Sequence, residues 1–115
     1  MEITKLNVTV MVSDMDRAIA FYTKILGLKL VQRFGNHWAD IQAPGIAIGL
    51  HPSDPKRNIS DNLQIGIAVK DTAEAVKTLE ERGVVFEHSS EDDVQTFPFK
   101  DPDGNSLYLI KPWGA

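Results

Sequence analysis

Two six-residue runs, Asn7-Val8-Thr9-Val10-Met11-Val12 and Gln64-Ile65-Gly66-Ile67-Ala68-Val69, alternate in the same phase and stand 57 residues apart in a chain of 115. Self-similarity at a fixed offset marks a supersecondary unit used more than once, and no other feature narrows the fold so far. The agreement continues past the strands. Asp14 follows the first run, and Asp71 holds the matching place after the second. Each Asp precedes an apolar stripe at helical spacing: Met15, Ala18/Ile19, Tyr22 and Ile25/Leu26 before Gly27, then Ala75/Val76 and Leu79 before Gly83. Both Asp residues are expected to be N-caps, accepting free N–H groups of a first helical turn. Glu74, three residues after Asp71, adds a capping-box pattern.

After each helix the pattern predicts three strands, at about 28–34, 37–43 and 45–51 in the first half and 84–88, 94–100 and 106–111 in the second. Gly35-Asn36, Pro44-Gly45 and Asp101-Pro102-Asp103-Gly104-Asn105 supply turns. Each half therefore reads as β-α-β-β-β. Residues 52–62, polar and holding two prolines, read as the linker, so one domain over 1–115 would comprise a module at about 1–51 and another at about 63–115.

Composition narrows the chemistry. With 43% hydrophobic residues the chain is expected to fold around an ordinary core, and a length of 115 suits one domain. No cysteine is present, which removes disulfides, thiolate metal sites and thiol nucleophiles. No stretch of about 18 apolar residues could span a bilayer, and the N-terminus does not read as a signal peptide, so the expected location is the cytoplasm. A net charge of −4 without a basic stripe argues against a nucleic-acid partner.

Strand parity predicts two unlike sheet faces. Val8, Val10 and Val12, and likewise Ile65, Ile67 and Val69, would lie under the helices. Asn7, Thr9 and Met11, with Gln64, Gly66 and Ala68, would line the opposite side, too polar for a packed core. The expected fold is α+β: two tandem βαβββ modules forming curved mixed sheets around a cleft, with the helices outside. A concave, partly apolar cleft is the default place for a ligand.

The duplicated unit, the run Val12-Ser13-Asp14-Met15-Asp16-Arg17-Ala18-Ile19-Ala20-Phe21-Tyr22-Thr23-Lys24-Ile25-Leu26-Gly27-Leu28 and the segment Phe99-Lys100-Asp101-Pro102-Asp103-Gly104-Asn105 together resemble the vicinal oxygen chelate superfamily. Its members include glyoxalase-type lyases, methylmalonyl-CoA epimerases, extradiol dioxygenases, fosfomycin-resistance enzymes and bleomycin-resistance proteins. The resemblance spans essentially the whole chain. It implies a fold and the place of a site, and a homodimer, but no single reaction.

Members that use a metal hold it with His, Glu or Gln, and the resemblance carries those positions onto Asn7, Gly49, Gln64 and Tyr108. None is His, Asp or Glu. Neutral amides, an absent side chain and a phenol that keeps its proton at neutral pH offer a divalent ion no negative charge. No cofactor is therefore expected, with a divalent metal held by His51 and Gln64 as the alternative. His51, two residues after Gly49, either points to the cleft as a displaced ligand or general base, or ends an edge strand in solvent. His37 and His88 are expected at the surface. Trp38, Phe34, Phe97, Phe99, Tyr108 and Trp113 supply rings that suit an aromatic or amphiphilic ligand, and some of them would be core. Asn7, Thr9, Gln64, Tyr108, His51, Trp38 and Phe99 are the candidate ligand-binding residues. Asn7, Gln64 and Tyr108 would either orient a ligand or satisfy one another within the sheet.

Two functions follow from different classes. One is a glyoxalase/bleomycin-resistance-like protein that binds a small organic molecule without metal. The other is a metal-dependent lyase, isomerase or dioxygenase with atypical ligands. A metal-free acid/base enzyme using His51 or Tyr108 is a third.

Overall fold

The first alternating run forms β1 (Asn7–Val12), and the stripe after it forms α1 (Met15–Ala20), which continues as a π-helical turn over Phe21–Ile25. Three strands follow, β2 (Lys29–Phe34), β3 (Trp38–Ala43) and β4 (Ile46–Pro52). The second half repeats the order with β5 (Gln64–Ala68), α2 (Thr72–Glu81), β6 (Phe97–Lys100) and β7 (Ser106–Ile110). These elements come from a computed structural model that describes residues 1–54, 63–87 and 96–111. The chain divides into two compact units, Met1–Asn58 and Ile59–Ala115.

In the first unit the strands form one mixed sheet in the order β1-β4-β3-β2. β1 and β4 run parallel with Thr9 opposite Gly49, while β3 pairs antiparallel with both its neighbours. Val10, Val12, Ala39, Ile41, Ile48 and Leu50 are buried on one side of this sheet, together with Met15, Ala18, Phe21 and Tyr22 of the helix. The parity expected of Val10 and Val12 holds, and removing such side chains from water stabilises the fold by roughly 1.5–3 kcal/mol each.

Asp14 caps α1 as its position requires, its Oδ1 accepting from the Arg17 N–H at 3.0 Å. The helix does not run on regularly to Gly27. Thr23 Oγ1 donates to the Ile19 carbonyl at 2.6 Å, and the Leu26 N–H reaches the Phe21 carbonyl, five residues back, at 3.0 Å. That widened turn buries the adjacent Phe21 and Tyr22 together, their rings edge-on at 5.1 Å. Gly27, at φ 79°, ends it.

The second unit holds a mixed sheet in the order β5-β7-β6, with β5 and β7 parallel and β6 antiparallel to β7. Leu79, Val84, Phe99, Leu107 and Leu109 are buried in it. Asp71 caps α2 through the Glu74 N–H at 3.0 Å. At the other end Gly83, at φ 94°, closes a Schellman motif: its N–H bonds the Glu80 carbonyl and the Val84 N–H bonds the Leu79 carbonyl, both at 3.0 Å.

That motif corrects an expectation. A strand was predicted at 84–88, but 84–87 has no strand structure, because the Val84 N–H is already spent on the helix end. The segment meets the sheet through the Glu87 N–H, bonded to the Pro98 carbonyl at 2.8 Å, and through Phe86, packed edge-on against Phe99 at 5.3 Å. The strand expected at 94–100 begins at Phe97, and residues 88–95 otherwise lie outside the described part. So do most of the linker, with Lys56 and Arg57, and Trp113.

Candidate functional site

The helix-free face of the first sheet gathers polar and aromatic side chains in register. Thr9 of β1 stands opposite Gly49 of β4, which stands opposite Asp40 of β3, which stands opposite Gln32 of β2. One step along, Met11 pairs with His51, and Phe34 with Trp38. Asn7 stands opposite Ala47, one step the other way. Asn7, Thr9, Phe34 and His51 are exposed, and Met11, Trp38 and Asp40 are half-buried.

Trp38 organises this face. Its Nε1–H donates to Asp40 Oδ1 at 2.6 Å, and its six-membered ring fills the place where Gly49 would carry a side chain. His51 meets the same indole edge-on, with ring centroids 6.2 Å apart. His51 Nδ1 lies 2.8 Å from the Pro52 carbonyl oxygen. A carbonyl accepts only from a protonated Nδ1, which leaves the neutral ring's lone pair on Nε2. Arg33 turns to the other side, opposite the buried Ala39, where it pairs with Asp16 at 2.7 Å and donates to the Gly35 carbonyl at 2.7 Å.

In the second unit the corresponding face carries Gln64, opposite Ser106, and Gly66, opposite Tyr108. Tyr108 leans across Gly66, where a Cβ would come within 2.5 Å of its Oη. Lys100, opposite Ser106, donates from Nζ to Ser106 Oγ at 2.6 Å and faces Glu87 at 3.8 Å.

The structure puts Asn7, Thr9, His51, Trp38, Gln64 and Tyr108 on helix-free faces, the first four in one unit and the last two in the other; strand parity by itself assigns only Asn7, Thr9 and Gln64, while it leaves His51 and Trp38 open and the resemblance supplies Tyr108. Phe99 is different. It stands opposite Leu107 on the helix side, with 0% of its surface exposed, and it packs against Phe86 as core. Its neighbours Pro98 and Lys100 have the opposite parity and take the outward places. Asp40 was not singled out, although its spacing of two from Trp38 on one strand was the available signal. Lys100 and Ser106 were also overlooked.

The Asp-Pro-Asp-Gly-Asn turn is structural. Asp101, 5% exposed, accepts from the N–H groups of Asp103 and Asn105 and from Asn105 Nδ2, at 2.8–2.9 Å. Its carboxylate is consumed in holding the β6–β7 hairpin together.

The donors present do not fit a divalent metal. Asn7 and Gln64 offer neutral amides and Tyr108 a phenol, while Gly49 offers nothing and lies beneath the Trp38 indole. Among the described residues no three His, Cys, Asp or Glu side chains cluster to hold an ion. Beside His51 the face presents Met11 and the Trp38 ring, and the Asp40 carboxylate of this face is engaged by the Trp38 indole N–H.

Residues 6–109 match the Glyoxalase/Bleomycin resistance protein/Dioxygenase superfamily. No curated protein matches the chain. Among solved structures it is similar to TnmS3, an antibiotic binding protein from a Streptomyces species, at 28% identity and a TM-score of 0.73, covering 97% of this chain and 98% of that one. It is also similar to the fosfomycin resistance protein FosX from Listeria monocytogenes, solved with Mn(II) and 1S,2S-dihydroxypropylphosphonic acid, at 18% identity and a TM-score of 0.79, covering 97% and 94%. An integron cassette protein from V. cholerae aligns at 23% identity and a TM-score of 0.72, over 96% and 97%. Among the described residues no helix is long and apolar enough to cross a membrane. With a family match over nearly its whole length and the α+β fold of two mixed sheets, the chain belongs to the Glyoxalase/Bleomycin resistance protein/Dioxygenase superfamily.

Proposed function

We propose that this protein binds a small aromatic or amphiphilic organic molecule on a helix-free sheet face, with no divalent metal. The observation that carries the reading is the filling of the Gly49 position by the Trp38 indole, at a place where metal-using relatives are expected to carry a ligand. Rings and neutral hydrogen-bonding groups stand where charged donors would be needed, and such a surface suits stacking and orientation of an organic ligand. The likeness to an antibiotic binding protein at 28% identity supports the same reading. Trp38, Thr9, Asn7 and His51 are the proposed contacts on the first sheet, and Tyr108 and Gln64 on the second.

Calorimetric titration with a panel of aromatic and amphiphilic compounds, antibiotics among them, tests it. A saturable ligand, weakened by Trp38→Ala or Tyr108→Ala, is the expected result. Metal analysis of protein purified without chelator is the companion measurement. A stoichiometric divalent ion that disappears in Gln64→Ala would overturn the proposal in favour of a metal-dependent lyase, isomerase or dioxygenase.

A further inference from the structure

Trp38 is restrained at both ends of its indole. The five-membered ring is held through Nε1–H by Asp40, and the six-membered ring rests on the bare backbone of Gly49. The indole is presented in a fixed plane on the inner strand β3, flanked by the exposed Phe34 on one side and His51 on the other. Asp40 is half-buried on the same face, and its Oδ1 accepts the Trp38 indole N–H. Among the described residues Asp40 forms no ion pair. Arg33 is turned away and paired with Asp16, and Lys29 stands farther along β2, opposite Gln42.

We propose that Asp40 determines specificity on this face, and that the ligand is a planar aromatic cation. The inference rests on the binding function proposed above and names the ligand class it selects. Two effects of one carboxylate act together. Accepting the indole N–H holds the ring in place and enriches its π-system, which strengthens attraction to a stacked cation. The oxygen that does not hold the indole is available to a ligand N–H⁺ or to the positive edge of a heteroaromatic ring, as a charge-assisted contact. A neutral ring of equal size gains the stacking alone, and an anionic ring is repelled.

The test uses three planar three-ring probes of nearly equal size at mildly alkaline pH: N-methylacridinium, neutral acridine and anthracene-9-carboxylate. The chain has two tryptophans, so a Trp113→Phe background makes the fluorescence report Trp38. N-methylacridinium is expected to quench saturably and to bind about tenfold or more tighter than acridine, with anthracene-9-carboxylate weakest. Asp40→Asn keeps an oxygen for the indole N–H but removes the charge. It should abolish most of the preference for the cation while changing acridine affinity by no more than about twofold. Asp40→Ala releases the indole as well and should weaken both. Equal binding of cation and neutral ring, absence of quenching by N-methylacridinium, or an unchanged preference in Asp40→Asn overturns the proposal. A protein that ignores these probes yet binds a compound of the broader panel loses this inference and keeps the binding function; one that binds nothing in either experiment loses both.

Discussion

Gly49 and Gly66 each lie beneath an aromatic ring from the adjoining strand, Trp38 over the first and Tyr108 over the second. A methyl group at either position would collide with that ring, but the two rings differ in freedom. Trp38 is tied to Asp40, so Gly49→Ala must break a bond as well as displace an indole, and we expect it to cost roughly 1–3 kcal/mol in urea unfolding. In Gly66→Ala the half-exposed Tyr108 can swing outward, and the loss should be smaller. Unfolding both variants under one set of conditions checks the order. Phe99 and Tyr108 form a second contrast. Phe99→Ala removes a fully buried ring and should cost about 3–5 kcal/mol, whereas Tyr108→Ala should leave stability nearly intact and appear in ligand titrations instead. The motif Phe99-Lys100 therefore divides between core and surface at a single peptide bond, which follows from the strand's period of two once the direction of one side chain is known.

Caps and turns carry their own predictions. Asp14 and Asp71 each accept one N–H at the start of a short helix, so Asp14→Ala and Asp71→Ala should each lower stability by about 1 kcal/mol, read as a shift of the denaturation midpoint with an unchanged slope. Asp101→Ala is expected to be worse, by about 2–3 kcal/mol, because it strands two backbone donors and the Asn105 amide near a buried position. Binding to the first sheet should survive it wherever the protein remains folded. The caps were legible because their signal is local: an Asp before an apolar stripe, with the donor three residues on. The π turn after α1 was not. It depends on the Thr23 hydroxyl competing for the Ile19 carbonyl and on two large rings being buried side by side, and neither changes the apolar spacing. The strand expected at 84–88 failed for a related reason, since the apolar run Val84-Val85-Phe86 suggests extended backbone and cannot tell which N–H the helix end has taken.

For the molecule as a whole, the resemblance implies a homodimer, and the exposure of every residue of the outer strand β2, with Phe34 at 51%, agrees with a partner for apolar surface. Light scattering after size exclusion at dilute concentration is expected to return twice the 12.8 kDa chain mass, and a clean monomer would remove the assignment. The duplication, the strand parity of Asn7, Thr9 and Gln64 and the helix caps were readable from residue order, because each depends on spacing within one element or on one offset; the four positions that lack a charged donor are what the resemblance implies. The packing of Trp38 on Gly49, its tether to Asp40, the burial of Phe99 and the leaning of Tyr108 over Gly66 were not. They arise where neighbouring strands bring residues from separate stretches of chain side by side, and only register and steric fit between those strands choose which ring covers which glycine.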